Sequence, residues 1–489
     1  MATTNFSAGT VIASTWLNDV DEFVYSQRSI VRPETFGCVG DGTTDDTTNF
    51  QAFLTYLAAN GGTGLMDKKI YLITSALVLT SPAKGFVLRG CGSQTVIRQR
   101  TTTAVTCLSI VSPVKIVMED FRIDCGYDVT GFASHGISMR NANKVVCRNI
   151  EVYNHRNTAI LTFVDVDDTY GDCHFINCLS ESNAKGQNGF LHEGMLRSSI
   201  QNCVVKALDP VGSPCMGLQI KNKSKHCWIL GGYAEGCKGG VAMGGDGATF
   251  GDGPFNCTIR DVITKDCLDG AIIGKTTDCH VEVDADMTNS PAPGVLTGYA
   301  LNVTGSNRYL SAVMRIKGVQ SGRTCILIRS SDTSVYVRYV NGIGSKLFEL
   351  SAGVDRARLV VQDIADTITN IYDYYTDNSG NSTNELSYLR DLMSIGMTGN
   401  NAIYFKVAGK PNNWISYNGT TDTFNFRNNG TDRFSISPVA AIANTFALED
   451  GITAPSTILG KALIYVDTAD GDLKVKFGDG VVKTIATDT

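Results

Sequence analysis

The sequence has 489 residues, of which 18% are charged, 50 are Gly and only 11 are Pro, and its formal net charge is -6. This composition excludes a disordered chain or a long coiled coil and favours a turn-rich β protein. The small net charge would attract neither nucleic acid nor anionic lipid, and no segment resembles a membrane span, so we expect no nucleic-acid partner and no membrane insertion.

The first thirty residues lack a basic start followed by an unbroken apolar run, so they do not form an export signal. The 15 cysteines are odd in number and include no C-x-x-C pair. We therefore expect reduced thiols that pack in the interior, rather than disulfides or zinc ligands. No motif predicts a metal or any other cofactor.

The stretch FGCVGDGTTDDTTNFQAFL, which begins at Phe36, raises the question of a ligand-binding loop. It has neither the Lys-Ser/Thr pair of a phosphate loop nor the spaced acids of an EF-hand. It predicts instead a capping helix over residues 44–59, with Asp45 and Asp46 at the positive end of its dipole and a left-handed stop at 60–62. Its apolar face has helical spacing and consists of Phe50, Phe53, Leu54 and Leu57.

A short phrase, apolar-any-Asn/Asp-apolar, recurs through the middle of the chain. Its copies start at Met118, Cys147, Phe175, Ile200 and Ile259, with a degenerate copy at Ile229. A second phrase, a small residue before alternating apolar positions, runs between the copies. Its small residues are Gly136, Ala159, Gly189, Gly217, Gly240 and Gly270, which give a mean period of about 27 residues.

Alternation within each phrase predicts strands, and the period is too short for a strand-helix-strand unit. The sequence therefore predicts an all-β fold, a right-handed, single-stranded parallel β-helix in which each strand lies on its counterpart in the preceding coil. Cys147, Cys178 and Cys203 should point inward. Asn149, Asn177 and Asn202 should mark turns with a left-handed residue or an amide ladder.

We expect the β-helix body, with its capping helix, to span residues 33–375, followed by a polar linker at 376–386. Residues 387–489 predict a β-rich region with hairpin turns, distinct from the coil. The turn signals are Asn418-Gly419, Asn429-Gly430, Asp470-Gly471 and Asp479-Gly480.

GDGTTDDTTNFQAFL, the glycines of ANGGTG and the stretch KGFVLRGCGSQTVI resemble the start of pectate-lyase-like β-helices in bacteriophage tailspikes. TVIASTWLNDVDEFVYS resembles the segment that joins phage tail proteins to the virion, which assigns residues 1–32 to attachment through a tail or adaptor protein. The resemblance implies a homotrimer in the phage tail, assembled in the host cytoplasm, that acts on bacterial surface polysaccharide. The resemblance covers residues 8–290 well and extends to the later part only in general character.

The polygalacturonase motif Gly-His-Gly is absent, so the catalytic residues of those enzymes do not transfer. Aligning the second phrase puts Arg140, Glu193, Lys221 and Gly244 at one outward position, which makes Glu193 the leading catalytic candidate. The glycine-rich loop GGDGATFGDG supplies Asp246 as its partner, because two coils separate them by about 10 Å, close to the spacing that suits inverting hydrolysis.

Lys221, Gln219, His192 and Asp252 are the candidate substrate-binding residues. Lys221 would bind an acidic sugar, although an exposed Glu-Lys pair on neighbouring strands is also a common structural feature. His192 falls at an inward position of the alignment, which favours a buried core histidine over a ligand contact. Asp165, Asp167 and Asp168 form an alternative acidic cluster, for which a solvated loop is favoured over an active site or a cation site.

Three functions remain open on these grounds. The first is an enzyme that depolymerises capsule, exopolysaccharide or O-antigen, by hydrolysis in preference to lyase chemistry. The second is a non-catalytic adhesin that holds glycan in the same groove. The third is a structural tail fibre whose shaft presents another receptor-binding part. The enzyme is the favoured interpretation.

Overall fold

The structure is a computed structural model that describes residues 30–487, apart from 102, 128–134, 167–168, 183–187, 208–214, 246–251, 291–297, 320–322, 343–345, 364–374, 380–383, 389–400, 408–409, 419–422, 429–430, 437–462 and 468. The predicted virion-attachment segment, residues 1–32, lies almost wholly outside the described residues. Contacts divide the chain into two compact units, which meet in sequence at residues 390 and 391. No helix in the described part is long and apolar enough to cross a membrane.

The first unit is a parallel β-solenoid, as predicted, and each coil contributes strands to three faces. The first two faces, which precede and follow the bend at the Asn or Asp of the first phrase, form one 20-stranded sheet. Numbered in chain order, its strands are β1 (Ile30–Val31), β2 (Asp41–Asp45), β3 (Gly62–Leu65), β4 (Ile70–Ile73), β6 (Phe86–Arg89), β7 (Val96–Gln99), β9 (Val117–Asp124), β11 (Val146–Tyr153), β13 (His174–Ile176), β14 (Leu179–Ser182), β16 (Ser199–Gln201), β17 (Val204–Ala207), β19 (Trp228–Leu230), β20 (Tyr233–Glu235), β22 (Thr258–Lys265), β24 (His280–Asp286), β26 (Leu310–Lys317), β28 (Thr333–Asn341), β30 (Arg358–Val361) and β32 (Glu385–Tyr388).

The third face is a 12-stranded parallel sheet. Its strands are β5 (Leu77–Thr80), β8 (Leu108–Val111), β10 (Ile137–Arg140), β12 (Thr158–Phe163), β15 (Asn188–Glu193), β18 (Met216–Lys221), β21 (Gly239–Gly244), β23 (Asp269–Gly274), β25 (Leu301–Thr304), β27 (Thr324–Ile328), β29 (Lys346–Leu350) and β31 (Tyr375–Asp377). The register confirms both predicted phrases. Met118, Cys147, Phe175, Ile200, Ile229 and Ile259 are successive partners on the first face.

The bend between the first and second faces is made by left-handed residues, which confirms the predicted turns. Asn149, Asn177 and Asn202 have φ of 51°, 52° and 49°. The Asn149 side-chain amide donates to Asp120 Oδ1 on the preceding coil at 2.8 Å. Asn and Asp tolerate this conformation better than most residues, and here their side chains also link coils.

The small residues of the second phrase allow the third face to pack closely on the second. A Cβ at Gly189 would lie 2.4 Å from a methyl group of Val205, and one at Gly217 would lie 2.9 Å from Cβ of Ala234. Both separations are shorter than van der Waals contact. A side chain at this position would therefore push the faces apart.

The cysteines fill the interior, as predicted. Fourteen of the 15 are buried, and all are free thiols. At one corner of the coil they stack directly, because the backbone N–H of Cys227 donates to Cys257 Sγ at 3.4 Å and that of Cys257 to Cys279 Sγ at 3.5 Å. The thiols thus serve as small hydrophobes and weak acceptors.

The capping helix α1 spans Thr47–Asn60 and buries Phe50, Phe53, Leu54 and Leu57. It begins three residues later than predicted, because Asp41–Asp45 forms a strand and Asp46 accepts the backbone N–H groups of Val39 and Gly40 at 2.7 and 3.0 Å. Gln51 exchanges two 2.8 Å hydrogen bonds with the backbone of Val78 in the edge strand β5. The helix therefore covers the open end of the third face. Two short 3-10 helices span Pro33–Phe36 and Gly92–Gln94.

The solenoid pairing continues beyond the predicted body end at residue 375. Thr376 pairs with Glu349, and Leu386 pairs with Leu359. Residues 376–386, assigned to a linker from their composition, thus overlap two solenoid strands. The other predicted domain bounds stay predictions.

The second unit contains two antiparallel sheets. Their strands are β33 (Asn401–Val407), β34 (Lys410–Asn418), β35 (Thr423–Asn428) and β36 (Thr431–Ile436) in one, and β37 (Leu463–Val466), β38 (Leu473–Lys476) and β39 (Val482–Ala486) in the other. Gly471 and Gly480, at two of the predicted turns, have φ of 73° and 90°. The described residues of this region form antiparallel strands and turns, in agreement with the predicted β-rich region.

Candidate functional site

The outward side of the third face carries the residues aligned from the sequence. Arg140, Phe163, Glu193, Lys221, Gly244 and Gly274 are successive register partners on β10, β12, β15, β18, β21 and β23. The alignment is therefore confirmed. In the coil between those of Arg140 and Glu193, the same position is occupied by Phe163. The catalytic and binding roles of these residues stay predictions.

Glu193 is half-buried at the end of β15 and lies opposite Lys221 on β18. The side-chain amide of Asn222 donates to Glu193 Oε1. The carboxylate is thus held in place by a neutral donor, while a cation occupies the adjacent strand. Such an arrangement suits either binding of a substrate carboxylate at Lys221 or a structural cross-strand pair.

Gln219 lies two residues before Lys221 and points to the same side, but its side chain is fully buried. Its amide nitrogen donates to Asn188 Oδ1 at 2.6 Å, and Asn188 donates to Thr158 Oγ1 at 3.1 Å. The Gln219 Oε1 atom has no hydrogen-bond partner among the residues that the structure describes. Since the side chain is 0% exposed, this atom is out of reach of a ligand, and Gln219 instead ties β18 to Asn188 on β15.

His192 is a core residue, so its candidate role in substrate binding is wrong. It is 0% exposed, and its ring stacks on Phe175 with centroids 4.3 Å apart. Nδ1 hydrogen-bonds Thr162 Oγ1 at 2.6 Å, and Nε2 hydrogen-bonds the carbonyl of Ser199 at 3.0 Å. Burial lowers the pKa of the imidazole to about 4. Both nitrogens are satisfied inside the coil, which leaves neither for a ligand.

Asp246, the predicted catalytic partner, lies outside the described residues. Asp252 is half-buried in a short turn that follows the same glycine-rich loop. A Cβ at Gly245, the residue after β21, would lie 2.5 Å from the Asp252 carbonyl oxygen. The chain therefore brings Asp252 back beside the end of β21, one coil from Lys221.

The alternative acidic cluster is described at Asp165 only, because Asp167 and Asp168 lie outside the described residues. Arg140 Nε donates to both Asp165 carboxylate oxygens at 2.7 Å, and Asn141 donates at 2.8 Å. The bond from Arg140 lowers the pKa of Asp165. This exposed carboxylate is already hydrogen-bonded to Arg140 and Asn141.

A second polar group on the third face escaped the sequence analysis. Asp269, at the start of β23, is 5% exposed and accepts the N–H of Tyr299 at 2.7 Å and the amide of Asn302 at 3.2 Å. Burial raises its pKa to about 6, although both hydrogen bonds oppose the shift. Carboxyls with raised pKa values are typical of general acids. The signal in the sequence was a polar residue at the start of two copies of the second phrase, Asn188 and Asp269.

Glycine separates the two polar groups. Gly244 and Gly274 occupy neighbouring outward positions on β21 and β23, and Gly239 lies at the start of β21. Gly244 and Gly274 are partly exposed, so a ligand can approach the backbone closely at the ends of these two strands, whereas Gly239 is buried. Within the described residues, no three His, Cys, Asp or Glu side chains come together to hold a metal ion.

Comparison with protein-family models and with curated proteins finds no match. Among solved structures, the pre-mature gene product 12 of bacteriophage phi29 is similar at 16% identity and a TM-score of 0.54, over 73% of this chain and 55% of that protein. This chain thus spans little more than half of the phage protein. The Agl-KA catalytic domain matches at 11% identity and a TM-score of 0.50, over 74% of this chain and 68% of that one. The parallel β-solenoid fold is common to all three.

Proposed function

We propose that the chain is a phage tail protein that binds host surface polysaccharide along the third face and cleaves it. The observation that carries the proposal is the presence of two polar groups on that face, Glu193 with Lys221 on β15 and β18 and Asp269 with Asn302 on β23 and β25, on either side of β21. From β15 to β25 is four strand spacings, about 19 Å. A surface of this length fits an extended polymer better than a small metabolite.

The proposed roles combine the residues aligned from the sequence with Asp269. Glu193 and Asp246 form the carboxylate pair, with one as acid and the other activating water. Lys221 neutralises a uronate, which a lyase would also require. Gln219 is buried and holds β18 to Asn188 on β15, and Asp252 contacts the substrate at the end of β21. Asp269 lies at least three strand spacings from Glu193, about 14 Å, which is too far for that pair, so it would be the proton donor of an alternative site on the same face.

Two further features support the assignment to a phage particle. The N-terminal sequence resembles virion-attachment segments, and the solenoid fold is shared with a bacteriophage protein. We infer a homotrimer in the virion tail, in which the antiparallel region after residue 386 holds the three chains together. Truncation at that residue, followed by analytical ultracentrifugation, should give monomers; persistent trimers would contradict this assignment.

The cleavage test uses the purified full chain with capsule, exopolysaccharide and O-antigen preparations. Hydrolysis predicts falling viscosity and new reducing ends, whereas lyase chemistry adds an unsaturated product that absorbs ultraviolet light. Preparations that stay intact throughout would contradict an enzymatic function.

A glycan-binding adhesin is the second candidate. The observation that favours it is the Glu193 carboxylate, which is already hydrogen-bonded by Asn222 and faces Lys221 as an ordinary cross-strand pair would. This function predicts saturable binding of polysaccharide with no product.

A further inference from the structure

The first face of the solenoid carries a second outward row, on the other side of the coil from the residues considered so far. Register partners along β11, β13, β16, β19 and β22 are Arg148, Ile176, Gln201, Leu230 and Arg260. The row begins and ends with an arginine. Four strand spacings place these two arginines about 19 Å apart.

Each terminal arginine lies beside a glutamate that another arginine already binds. Glu119 accepts Arg89 Nε at 2.6 Å, whereas Arg148 is 3.6 Å from its second oxygen. Glu119 is 5% exposed, so its charge is held in place by two cations. One carboxylate between two guanidinium groups leaves a net charge of +1.

The same arrangement recurs at the other end of the row. Arg338 donates to Glu282 Oε1, and Arg260 Nε lies 3.8 Å from Oε2. Arg338 reaches back from β28, where the register shifts around Met314 and Arg315. This cluster also has a net charge of +1.

Arg148 and Arg260 are the members of these clusters that lie beyond hydrogen-bonding distance of the glutamate. Their side chains are 48% and 55% exposed. Neither makes a hydrogen bond to any residue that the structure describes, because both ion-pair separations exceed hydrogen-bonding distance. Each guanidinium therefore retains donors in the fork geometry that matches a carboxylate, sulfate or phosphate.

Between the arginines the surface mixes polar and apolar side chains. Trp228 and Leu230 both point outward from β19, and Leu230 is 37% exposed. The register partners of Trp228 are Ser199 and Thr258, two small hydroxyl residues. The indole is thus half-buried beside side chains too short to cover it, as in aromatic platforms that pack against the C–H face of a sugar ring.

We propose that this arginine–tryptophan surface, comprising Arg148, Gln201, Trp228, Leu230 and Arg260, binds a strand of acidic polysaccharide. The strand runs along the solenoid axis, with anionic groups at the two arginines and a sugar ring on Trp228. Charge complementarity selects an acidic over a neutral glycan. The inference rests on the proposed action on polysaccharide and adds a second, non-cleaving surface that holds the polymer while the third face acts.

The test measures binding of the full chain to polygalacturonate, alginate and hyaluronate by affinity electrophoresis, with dextran and carboxyl-reduced polygalacturonate as neutral controls. At least one acidic polymer should retard the protein, and added salt should weaken the effect. The double variant Arg148→Gln/Arg260→Gln should bind at least tenfold more weakly. Arg315→Gln, on the second face, should bind normally. Binding to no acidic polymer, or equal binding by the double variant, would overturn the inference.

Trp228→Ala tests whether the occupant of this surface is the polymer or a second copy of this chain. The variant should bind acidic polymer several-fold more weakly and keep the oligomeric state of the parent in ultracentrifugation. A change of oligomeric state would mean that the surface is a subunit interface, which overturns the proposal. Binding of acidic polymer without cleavage of any polysaccharide would leave this surface standing and remove the enzyme function.

Discussion

Asp269 Oδ1 accepts the backbone N–H of Tyr299 at 2.7 Å, a bond that joins neighbouring coils across the third face. Asn302, three residues further along, donates its side-chain amide to the other oxygen at 3.2 Å. Both bonds stabilise the ionised carboxylate. The pKa is nevertheless raised to about 6, because burial disfavours the charge more strongly.

If Asp269 donates a proton during cleavage, the rate should fall as the pH rises through about 6, where the acid form is lost. Asp269→Asn should retain the fold and lose roughly a hundredfold or more in rate. Asn302→Ala removes a donor to the carboxylate, which raises its pKa further and moves this limb of the pH–rate profile to higher pH. Identical profiles for the parent and Asn302→Ala would refute a proton-donating role.

Glu193→Gln is nearly isosteric and keeps a hydrogen-bond acceptor for Asn222. We expect folded, polymer-binding protein whose cleavage rate falls by a hundredfold or more, as for loss of a catalytic acid or base. Asp246→Asn should give the same result. Asp165→Asn is the matched control, because its carboxylate is exposed and bound to Arg140. Reducing-end assays compare the variants; full activity in both Glu193→Gln and Asp246→Asn would remove this site.

Gly217→Ala tests the close packing of the faces. Its Cβ would lie 2.9 Å from Cβ of Ala234 on the second face and 2.2 Å from the Gly240 carbonyl oxygen on the next coil of the third face, so the backbone has to move. We expect the free energy of unfolding to fall by about 1–3 kcal/mol. Gly353→Ala is the control: it has φ +79° with no atom within 4 Å of the added Cβ, so it should cost about 1 kcal/mol through backbone strain alone. Urea titrations measure both, and a Gly217→Ala protein as stable as the parent would contradict this packing.

Two interior histidines should make the fold acid-sensitive. Burial lowers the pKa of both His155 and His192 from 6.5 to about 4. The unfolded chain therefore binds more protons than the folded one between these values, so stability is complete above pH 6.5 and falls as the pH drops towards 4. Each histidine should contribute a loss of about 2 kcal/mol at roughly pH 5.

Denaturation of the parent and of His192→Gln near neutrality and at about pH 5 measures this dependence. The variant should lose less stability on acidification than the parent. His226→Gln, on an exposed corner, should behave like the parent. An equal loss in parent and His192→Gln would assign the acid sensitivity to other groups.

The solenoid itself was predictable because its register repeats in the sequence. Cys147, Cys178 and Cys203 are inward residues of that repeat, and Asn149 and Asn177 mark its corners, so one alignment placed all five. The end of the coil was missed for the opposite reason. Residues 376–386 have the composition of a linker, but backbone pairing with the preceding coil outweighs composition.

The candidate site was only partly predictable. The partnership of Glu193 with Lys221 followed from the period, since both are outward at the same place in the phrase. The burial of Asp269 could not be inferred, because Tyr299 and Asn302 come from a later coil. The Asp46 carboxylate likewise turns back to the N–H groups of Val39 and Gly40, an arrangement that local helix signals do not specify.

The most direct test of the central claim is a crystal structure of the full chain with an oligosaccharide from a polysaccharide that it binds. We predict sugar density on the outward side of the third face, across β18, β21 and β23, with the chain passing Glu193 and Lys221. Sugar bound only elsewhere on the molecule, with these two side chains untouched, would contradict the account.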